Sequence, residues 1–304
     1  MKMRHAVQGF AAVSAILVAA TVTSIGTFLA WQCALSIRQT ENVAAARQMG
    51  LLIQASAAFA AVTVARDDKQ VDHRGEPWAR GMAPIEMEGA RVDGTMIDEQ
   101  GKFNVNNLAD VEGPSEADMT AFRALLRHVG LPESLSDSVL DWIDKDRDVT
   151  EPFGAEDAYY GGREPPYRVA NRHIVDISEL LLVKGFDAER LRRLSPYLTA
   201  LPGRTKVNVN AASADLLAAI LPGVSTTKAR AIVAARDKEP FASSTDFSKR
   251  LPDAAAKAAH NLLDVRSDYF ALHGTARAGR ITSTFRALVS RAGPTVVSIN
   301  RHFG

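Results

Sequence analysis

Residues 10–37 read FAAVSAILVAATVTSIGTFLAWQCALSI, and this stretch decides the fold. It holds no charged residue over 28 positions, and at about 1.5 Å per helical residue it exceeds the roughly 30 Å hydrocarbon core of a bilayer. Lys2 and Arg4 precede it, and positive charge marks the cytoplasmic side of a membrane helix. The sequence therefore predicts a single-pass anchor with the rest of the chain outside the cytoplasm.

Other interpretations of the N-terminus fit less well. A secretory signal has an apolar core of about 7 to 15 residues, which is about half the length of this run. The single cysteine, Cys33, lies inside the apolar stretch, so an intramolecular disulfide and a cysteine-rich zinc site are excluded. A plain uncleaved signal anchor stays open as an alternative.

The apolar stretch is expected to continue as helix. Residues 38–66 are rich in alanine and other helix formers, and no proline occurs before Pro77. Residues 10–66 would then form a rod on the order of 85 Å long, which we call the spine helix. Its first half can lie in lipid and its second half can pack on a globular domain.

The remaining chain changes its periodicity twice. Alternating stretches, IEMEGARVDG, TMIDEQG and KFNVNNL, predict strands separated by Asp-Gly and Gln-Gly turns. Helical patterns with Ser, Asp or Thr caps and closing glycines follow to about residue 260, and alternation then returns. The predicted class is α+β, with a small antiparallel sheet interrupted by an all-helical domain.

Five segments follow from this pattern: a leader at 1–9, the spine at 10–66 with its membrane part at 10–37, the first sheet part at 67–110, the helical insertion at 111–262 and the closing strands at 263–304. The insertion contains an internal echo, KFNVN at 102–106 and KVNVN at 206–210. It therefore divides into two related helical units, at about 111–203 and 204–262.

Four linked blocks lie between Asp141 and Gly185. They read DWIDKD at 141–146, GAEDAYY at 154–160, PPYRVAN at 165–171 and SEL at 178–180. In this order they resemble the central signature of the K-type minor pseudopilins of bacterial type II secretion. The resemblance implies a pilin-like fold whose insertion is similar to SAM and helix-hairpin-helix domains. The chain departs from the family pattern at Gly161-Gly162 and Ala211-Ala212, which affects loop detail only.

The N-terminus resembles the same family. A basic leader ending in Gly9-Phe10 before a long apolar helix is similar to the prepilin peptidase site of pilins and pseudopilins, which implies cleavage after Gly9. Most of these proteins have a glutamate at the fifth mature position, whereas this chain has Ser14, as K-type members lack that glutamate. The resemblance implies an inner-membrane subunit at the pseudopilus tip with a periplasmic domain. The implied partners are the minor pseudopilins I, J and H, the prepilin peptidase and membrane lipid.

Acidic residues are concentrated around the first block. Residues 133–157 hold nine acids against Lys145 and Arg147, a local charge of about −7 that a divalent cation would relieve. Hard oxygen ligands suit Ca²⁺, and K-type pseudopilins resemble one another in binding calcium in this domain. The candidate ligands are Asp144, Asp146, Asp148, Glu156 and Asp157. The alternative is a solvated acidic face with helix caps, since Val149 and Ala155 stand where an EF-hand needs glycine and glutamate.

The second helical unit offers a different function. Residues 208–237 resemble a helix-hairpin-helix module, which in DNA-binding proteins presents backbone N–H groups to phosphate. Gly223, Lys228 and Arg230 would make the contacts, and residues 203–250 carry eight basic and four acidic side chains. A membrane-anchored DNA-binding protein is therefore the alternative function, although K-type pseudopilins use such a module structurally and no nucleic acid is expected.

Catalytic motifs are missing from the sequence. It contains no HExxH, GxSxG, P-loop or GxGxxG, and the seven histidines have no ligand spacing. A net charge of +1 produces no whole-chain field that would gather an anionic substrate. We expect a structural subunit that turns over no substrate, with Ca²⁺ as the one possible cofactor.

Overall fold

The computed structural model describes the backbone of residues 3–87, 89–110 and 113–303. The helices are α1 (Met3–Arg66), α2 (Glu116–His128), α3 (Leu135–Ile143), α4 (Asp157–Tyr160), α5 (Ala188–Leu194), α6 (Ala214–Ile220), α7 (Thr226–Arg236), α8 (Ser244–Ser248) and α9 (Asp253–Leu262). The strands are β1 (Met82–Met87), β2 (Ala90–Asp98), β3 (Phe103–Asn104), β4 (Ala109–Asp110), β5 (Gly113–Pro114), β6 (Leu198–Thr199), β7 (Val207–Asn208), β8 (Leu263–Asp264), β9 (Tyr269–Ala278), β10 (Ile281–Ser290) and β11 (Thr295–Phe303). Short 3-10 turns cover Pro77–Arg80, Glu99–Gly101, Val105–Leu108 and Ile177–Leu182. The α+β class predicted from the sequence is confirmed.

The spine helix α1 begins earlier than the sequence predicted. Residues 3–9, predicted as a leader, are helical and continue into Phe10 without a break. Among the helices of the described ranges, α1 is the one with a segment long and apolar enough to cross a membrane. There the hydroxyls of Ser14, Thr21 and Thr27 donate to carbonyl oxygens four residues earlier, at 2.8 to 2.9 Å. These bonds satisfy groups that would otherwise be unpaired in lipid.

The upper half of α1 packs on a five-stranded antiparallel sheet of order β1-β2-β9-β10-β11. Met49, Leu52, Ile53, Ala57, Ala60, Ala61 and Val64 are buried at helical spacing against one face of the sheet. Inward-facing residues of β2, β9 and β10 recur at every second position, as pleating requires, and include Val92, Leu272, Ala276 and Ala287. One apolar core therefore holds the spine and the sheet together.

The predicted Asp93-Gly94 turn is wrong. Gly94 lies inside β2, directly opposite Gly274 of β9, and the hairpin turn between β1 and β2 falls between Met87 and Ala90. A Cβ at Gly94 would lie 2.8 Å from the carbonyl oxygen of His273, and one at Gly274 would lie 2.6 Å from the Phe285 ring. Glycine is therefore needed here for close packing and does not mark a turn.

The chain leaves the sheet at Asp98 and returns at Tyr269, and β2 and β9 pair directly across this gap. The helical insertion between them has its own apolar core, from Phe103 to Val265. The segment KFNVNNL, predicted as sheet, belongs to this insertion: Phe103 and Asn104 pair with β6 and residues 105–108 form a 3-10 turn. Phe103 stacks on Phe122 of α2, with ring centroids 5.9 Å apart, so apolar packing draws this segment away from the sheet.

The two units of the insertion are built alike. Asn106 donates to the carbonyl of Ile174 (2.9 Å) and accepts from its N–H (2.8 Å), and Asn210 does the same with Phe241 (3.0 and 2.9 Å). In each unit a helix pair follows the asparagine, and a short parallel strand pair closes the unit, β3 with β6 and β7 with β8. We call this bidentate contact the asparagine clamp. The sequence echo therefore corresponds to a structural repeat.

A buried ion pair joins the spine, the sheet and the insertion. Asp72, in the loop after α1, is fully buried, and Arg291, after β10, donates to its two oxygens at 2.9 and 2.5 Å. Arg291 Nε also donates to the carbonyl of Val64 near the end of α1 (2.9 Å), and the N–H of Ser267, where the chain returns from the insertion, donates to Asp72 Oδ2 (2.8 Å). Three parts of the fold thus meet at one carboxylate.

A second buried carboxylate, that of Asp98, lies beside this pair. It accepts from Asn208 Nδ2 (2.8 Å), Ser267 Oγ (2.7 Å) and the N–H of Gln100 (2.8 Å). Burial nevertheless raises the pKa of Asp98 to about 7, because desolvation outweighs these three hydrogen bonds. The junction between sheet and insertion is therefore polar, buried and fully hydrogen bonded at both carboxylates.

We predict that Arg291→Met lowers the free energy of unfolding by about 3–5 kcal/mol, because it leaves Asp72 buried without its cation. Urea unfolding of the full chain in detergent, followed by far-UV circular dichroism, measures the change. Arg280→Met is the matched control, since Arg280 is exposed in the turn between β9 and β10 and its loss should cost no more than about 0.5 kcal/mol. Equal midpoints for the two variants would contradict the structural role of Arg291.

Candidate functional site

The acidic loop, residues 144–171, is an insertion in the first helical unit. In the second unit only four residues separate the end of α7 at Arg236 from the clamped Phe241. In the first unit the chain runs from the end of α3 at Ile143 to the clamped Ile174. The extra chain carries the acidic residues predicted from the sequence.

The loop is anchored to α3 and to an aromatic cluster. Asp141 of α3 accepts the N–H of Thr150 with both carboxylate oxygens, at 3.1 and 3.2 Å. Tyr160 is fully buried, with ring centroids 5.1 Å from Trp142 and 5.3 Å from Tyr167. These contacts hold the middle of the loop against α3 and the aromatic cluster.

Several oxygens in this loop are buried and have no hydrogen-bond partner. They are Asp144 Oδ1, both carboxylate oxygens of Glu156 and Asn171 Oδ1. These four make up most of the six buried side-chain N or O atoms that lack a partner in the described ranges. Buried acceptors are normally paired, so the concentration of unpaired ones in a single loop requires an explanation.

The charges of the loop act on one another. Burial, followed by the nearby charges of Asp146 and Asp141, raises the pKa of Asp144 to about 7. Burial also raises the pKa of Glu156 to about 7, and the charges of Asp141 and Asp144 add to the effect. Each carboxylate therefore lies close enough to repel the others, and a cation between them would remove both costs.

Of the five predicted ligands, Asp144 and Glu156 are the two that have buried oxygens without a partner. The Asp146 carboxylate is exposed and accepts the N–H of Asp148 (2.9 Å), and the Asp157 carboxylate is exposed and accepts the N–H of Val169 (3.2 Å). Asp148 is exposed and contributes its backbone to that turn. These three shape the loop or add charge, and none has a buried unpaired oxygen.

Asn171 is the site residue that the ligand prediction missed. Its amide nitrogen donates to the carbonyl of Asp146 (3.0 Å), while its amide oxygen is buried and unpaired. Its backbone φ of +44° lies in the left-handed region, which asparagine tolerates better than most residues. The sequence signal was Asn171 at the end of the PPYRVAN block, but an amide carries no charge that would mark it as a ligand.

Unpaired oxygens of this kind are the ligands that Ca²⁺ prefers in proteins. Ca²⁺ takes six to eight oxygen ligands from carboxylates, amides and carbonyls in flexible geometry, and the loop offers Asp144, Glu156 and Asn171 from three points along the chain. The helix-cap alternative fits Glu156 less well, because Glu156 precedes α4 but its side chain forms no cap hydrogen bond. A bound divalent cation would reduce the negative charge of the loop.

A second acidic group does not have this character. Asp67, Asp72 and Glu76 each place an oxygen within 4.8 Å of the others. However, Arg291 pairs with Asp72 at 2.5 Å, and Glu76 accepts from Trp78 Nε1 (2.9 Å) and from the N–H of His73 (2.8 Å). Asp72 and Glu76 therefore have partners within the protein, and Asp67 Oδ2, which accepts no hydrogen bond, lies 3.7 Å from the same Arg291 guanidinium.

The hairpin residues proposed for DNA contact are exposed but do not converge. Gly223, with φ of +76°, forms the turn between α6 and α7, and the Ser225 side chain caps α7. Lys228 and Arg230 are two residues apart on α7, which places them about 200° apart around the helix. Their side chains therefore cannot bind the same phosphate group. The two residues of the predicted cleavage site, Gly9 and Phe10, lie within the continuous helix α1.

The architecture by itself defines a class of protein. A long apolar N-terminal helix whose upper half packs on an antiparallel sheet is the pilin-like design, here with a helical repeat inserted between β2 and β9. Known proteins agree with this class. Residues 101–203 and 207–266 match family models described as type II secretion system (T2SS), protein K.

Whole-length relatives extend the match. The chain is 35% identical over 281 residues to the type II secretion system protein K of Pseudomonas aeruginosa, covering 88% of this chain and 84% of that protein. It is 29% identical over 304 residues to protein K of Aeromonas hydrophila, covering 91% and 92%. A chain in the crystal structure of the GspK-GspI-GspJ complex from enterotoxigenic Escherichia coli superposes with a TM-score of 0.70 at 26% identity, covering 84% of this chain and 96% of that one. The chain belongs to the protein K family of type II secretion systems, the K-type minor pseudopilins.

We predict that CaCl2 raises the Tm of the full chain in detergent, because the ion binds the folded loop and not the unfolded chain. The rise should be larger at pH 8 than at pH 5.5, since Asp144 and Glu156, whose pKa values are raised to about 7, must lose their protons to bind. Asp144→Asn with Glu156→Gln should abolish the rise, and Asp148→Asn should preserve it. A rise of equal size at both pH values and in the double variant would contradict the site.

Proposed function

We propose that this K-type minor pseudopilin occupies the tip of the pseudopilus. There it nucleates or caps the filament with the other minor pseudopilins, so that folded proteins can be exported across the outer membrane. It acts as a structural subunit and turns over no substrate. The observation that carries this proposal is the place of the helical insertion at the end of the spine that lies farthest from the apolar segment.

The position of the insertion follows from the sheet register. The chain enters it after Asp98, which pairs with Phe270 of β9, and this end of the sheet adjoins the end of α1, where Arg291 contacts the carbonyl of Val64. The turn between β9 and β10, at residues 279–280, lies at the opposite end of the sheet. The helical insertion above the end of the spine helix would obstruct another subunit stacked there. Only the last subunit of a filament has no such neighbour.

Ser14 supports the same position. In related filaments the fifth mature residue is a glutamate, which would pair with the N-terminal amine of a neighbouring subunit in the apolar core. A buried charge without a partner is costly, so a subunit with no neighbour above it is better served by an uncharged residue. The Ser14 hydroxyl finds its hydrogen-bond partner within the same helix, because it donates to the carbonyl of Phe10 (2.9 Å).

The proposed partners are the minor pseudopilins I and J, and H below them in the filament. The support for I and J is that the structural relative crystallised in a GspK-GspI-GspJ complex. On this chain, Leu51, Phe59 and Val62 leave apolar surface exposed along one side of the upper spine helix. Such a side suits packing against other spine helices.

The proposed location is the inner membrane, with residues 10–37 as the single span and the folded domain in the periplasm. The prepilin peptidase would remove residues 1–9 by cutting between Gly9 and Phe10. We further propose that Ca²⁺ is held by Asp144, Glu156 and Asn171 and orders the acidic loop. The support is the set of buried oxygens without partners.

Processing is tested by mass spectrometry of the protein purified from cells with and without the prepilin peptidase. We expect a terminus at Phe10 with the peptidase and an unprocessed terminus without it, because the junction is expected to be cut by that enzyme alone. Gly9→Glu should leave the terminus unprocessed in both strains. An unprocessed terminus in peptidase-positive cells carrying the unaltered chain would favour a plain signal anchor.

The tip role is tested by deleting the helical insertion. A chain in which a four-residue Gly-Ser linker replaces residues 101–266 keeps Asp98, Ser267 and the five sheet strands. We expect it to give longer pseudopili than the unaltered chain when the major subunit is overproduced, as measured by electron microscopy. Arg280→Ser, at the opposite end of the sheet, is the control. Unchanged filament lengths for a linker variant that is stable in the membrane would oppose a capping role.

A further inference from the structure

One difference between the two helical units is the side chain that covers the hairpin. In the first unit, Arg193 of α5 reaches the hairpin between α2 and α3, where its Nη2 donates to the carbonyls of Val129 and Gly130 (3.2 Å to Gly130). The contact is close, because a Cβ on Gly130 would lie 2.7 Å from Arg193 Nη2. The first hairpin is therefore covered by a guanidinium group of its own unit.

The equivalent position in the second unit is Ala258. The caps of α5 and α9 are Asp187 and Pro252, and the closing strands β6 and β8 each begin eleven residues after the cap, at 198 and 263. Arg193 and Ala258 are both the sixth residue after the cap. The next residues, Leu194 and Ala259, are both buried, at 0% and 1% exposure. Two independent landmarks thus give the same alignment.

The hairpins correspond as well. Gly130 and Gly223 have φ of +69° and +76°, and the residue after each, Leu131 or Val224, is buried at 6% and 5% exposure. By this alignment the carbonyls of Val129 and Gly130 correspond to those of Pro222 and Gly223. Pro222 and Gly223 are exposed, and no hydrogen bond between residues of the described ranges ends on their carbonyl oxygens.

A groove lies where the missing arginine would be. It has a volume of about 500 Å³ and is lined by Ala258 and Asn261 of α9, by Pro222 and Gly223 of the hairpin and by small side chains of α2 and α6. A Cβ on Gly223 would meet no atom within 4 Å, in contrast to Gly130. Arg127 lies at the rim, and Glu133 pairs with it at 2.7 Å, so its charge is already neutralised.

We propose that this groove is a docking site for an arginine side chain presented by a partner polypeptide. The internal repeat shows which group fits, because the same hairpin in the first unit receives a planar guanidinium. Carbonyl oxygens accept strongly from guanidinium N–H groups, and the stem of an arginine would cover Ala258 and its neighbours. The second unit has alanine where the first supplies its own arginine, so this site is completed from outside.

The test uses the full chain in detergent, labelled with ¹⁵N-glycine, and two peptides, acetyl-Gly-Ser-Arg-Ser-Gly-amide and the same sequence with citrulline for arginine. We expect a saturable shift of the Gly223 amide resonance with the arginine peptide and binding about tenfold weaker with citrulline, which keeps the shape and loses the charge. Equal responses to the two peptides, or no response, would overturn the proposal.

Three substitutions sharpen the test. Ala258→Arg should fill the groove from within, abolish the Gly223 response and raise the Tm by roughly 2–4 °C. Should Ala258→Arg fail to fold, Ala258→Gln, which fills the groove with a shorter side chain, decides the same point. Arg193→Ala should open the first hairpin, so that the Gly130 amide gains a response it lacks in the unaltered chain. A Gly223 response that persists in the filled variants would place the peptide elsewhere and reject the site.

Discussion

The ion pair between Asp72 and Arg291 is the contact on which the rest of the structure depends. It is buried, and it draws the end of the spine helix, the end of β10 and the return of the chain at Ser267 to one point. A pair of this kind contributes little net stability compared with apolar packing, but it tolerates few alternative geometries. Together with Glu99, which contacts Arg286 of β10 (3.1 Å) and Thr199 of β6 (2.8 Å), it fixes the orientation of the insertion relative to the spine.

The insertion is a duplicated unit whose two copies have diverged in different ways. Asn106 and Asn210 hold equivalent backbone positions, which shows that the frame of each copy is kept. The first copy gained the acidic loop and kept an arginine over its hairpin. The second kept a short link and has Ala258 where that arginine would be. One copy thus covers its own hairpin and carries an acidic loop, and the other leaves its hairpin open and has a net positive charge.

Much of the fold could be predicted because it rests on periodicity and composition. The spine, the return of strands after the helices and the repeat at 102 and 206 are local patterns. The errors arose where tertiary packing overrides local signals, as at Gly94, where a partner strand approaches too closely for a side chain. Asp144 and Glu156 could be found from charge density. Asn171, 27 residues beyond Asp144 and uncharged, could be placed beside the acidic residues only by the folded chain.

The acidic loop has a further consequence through its two fixed ends. Because α3 holds one end of the loop and the asparagine clamp on Ile174 holds the other, the exposed acidic residues between them can change their order while both ends stay in place. Its order is then a local property set by the medium around it, since dissolved cations and protons compete for the same few oxygens. With the tip position and the cation site proposed above, the end of the filament would stiffen or soften with the ionic composition outside the inner membrane, while the shaft below it would not.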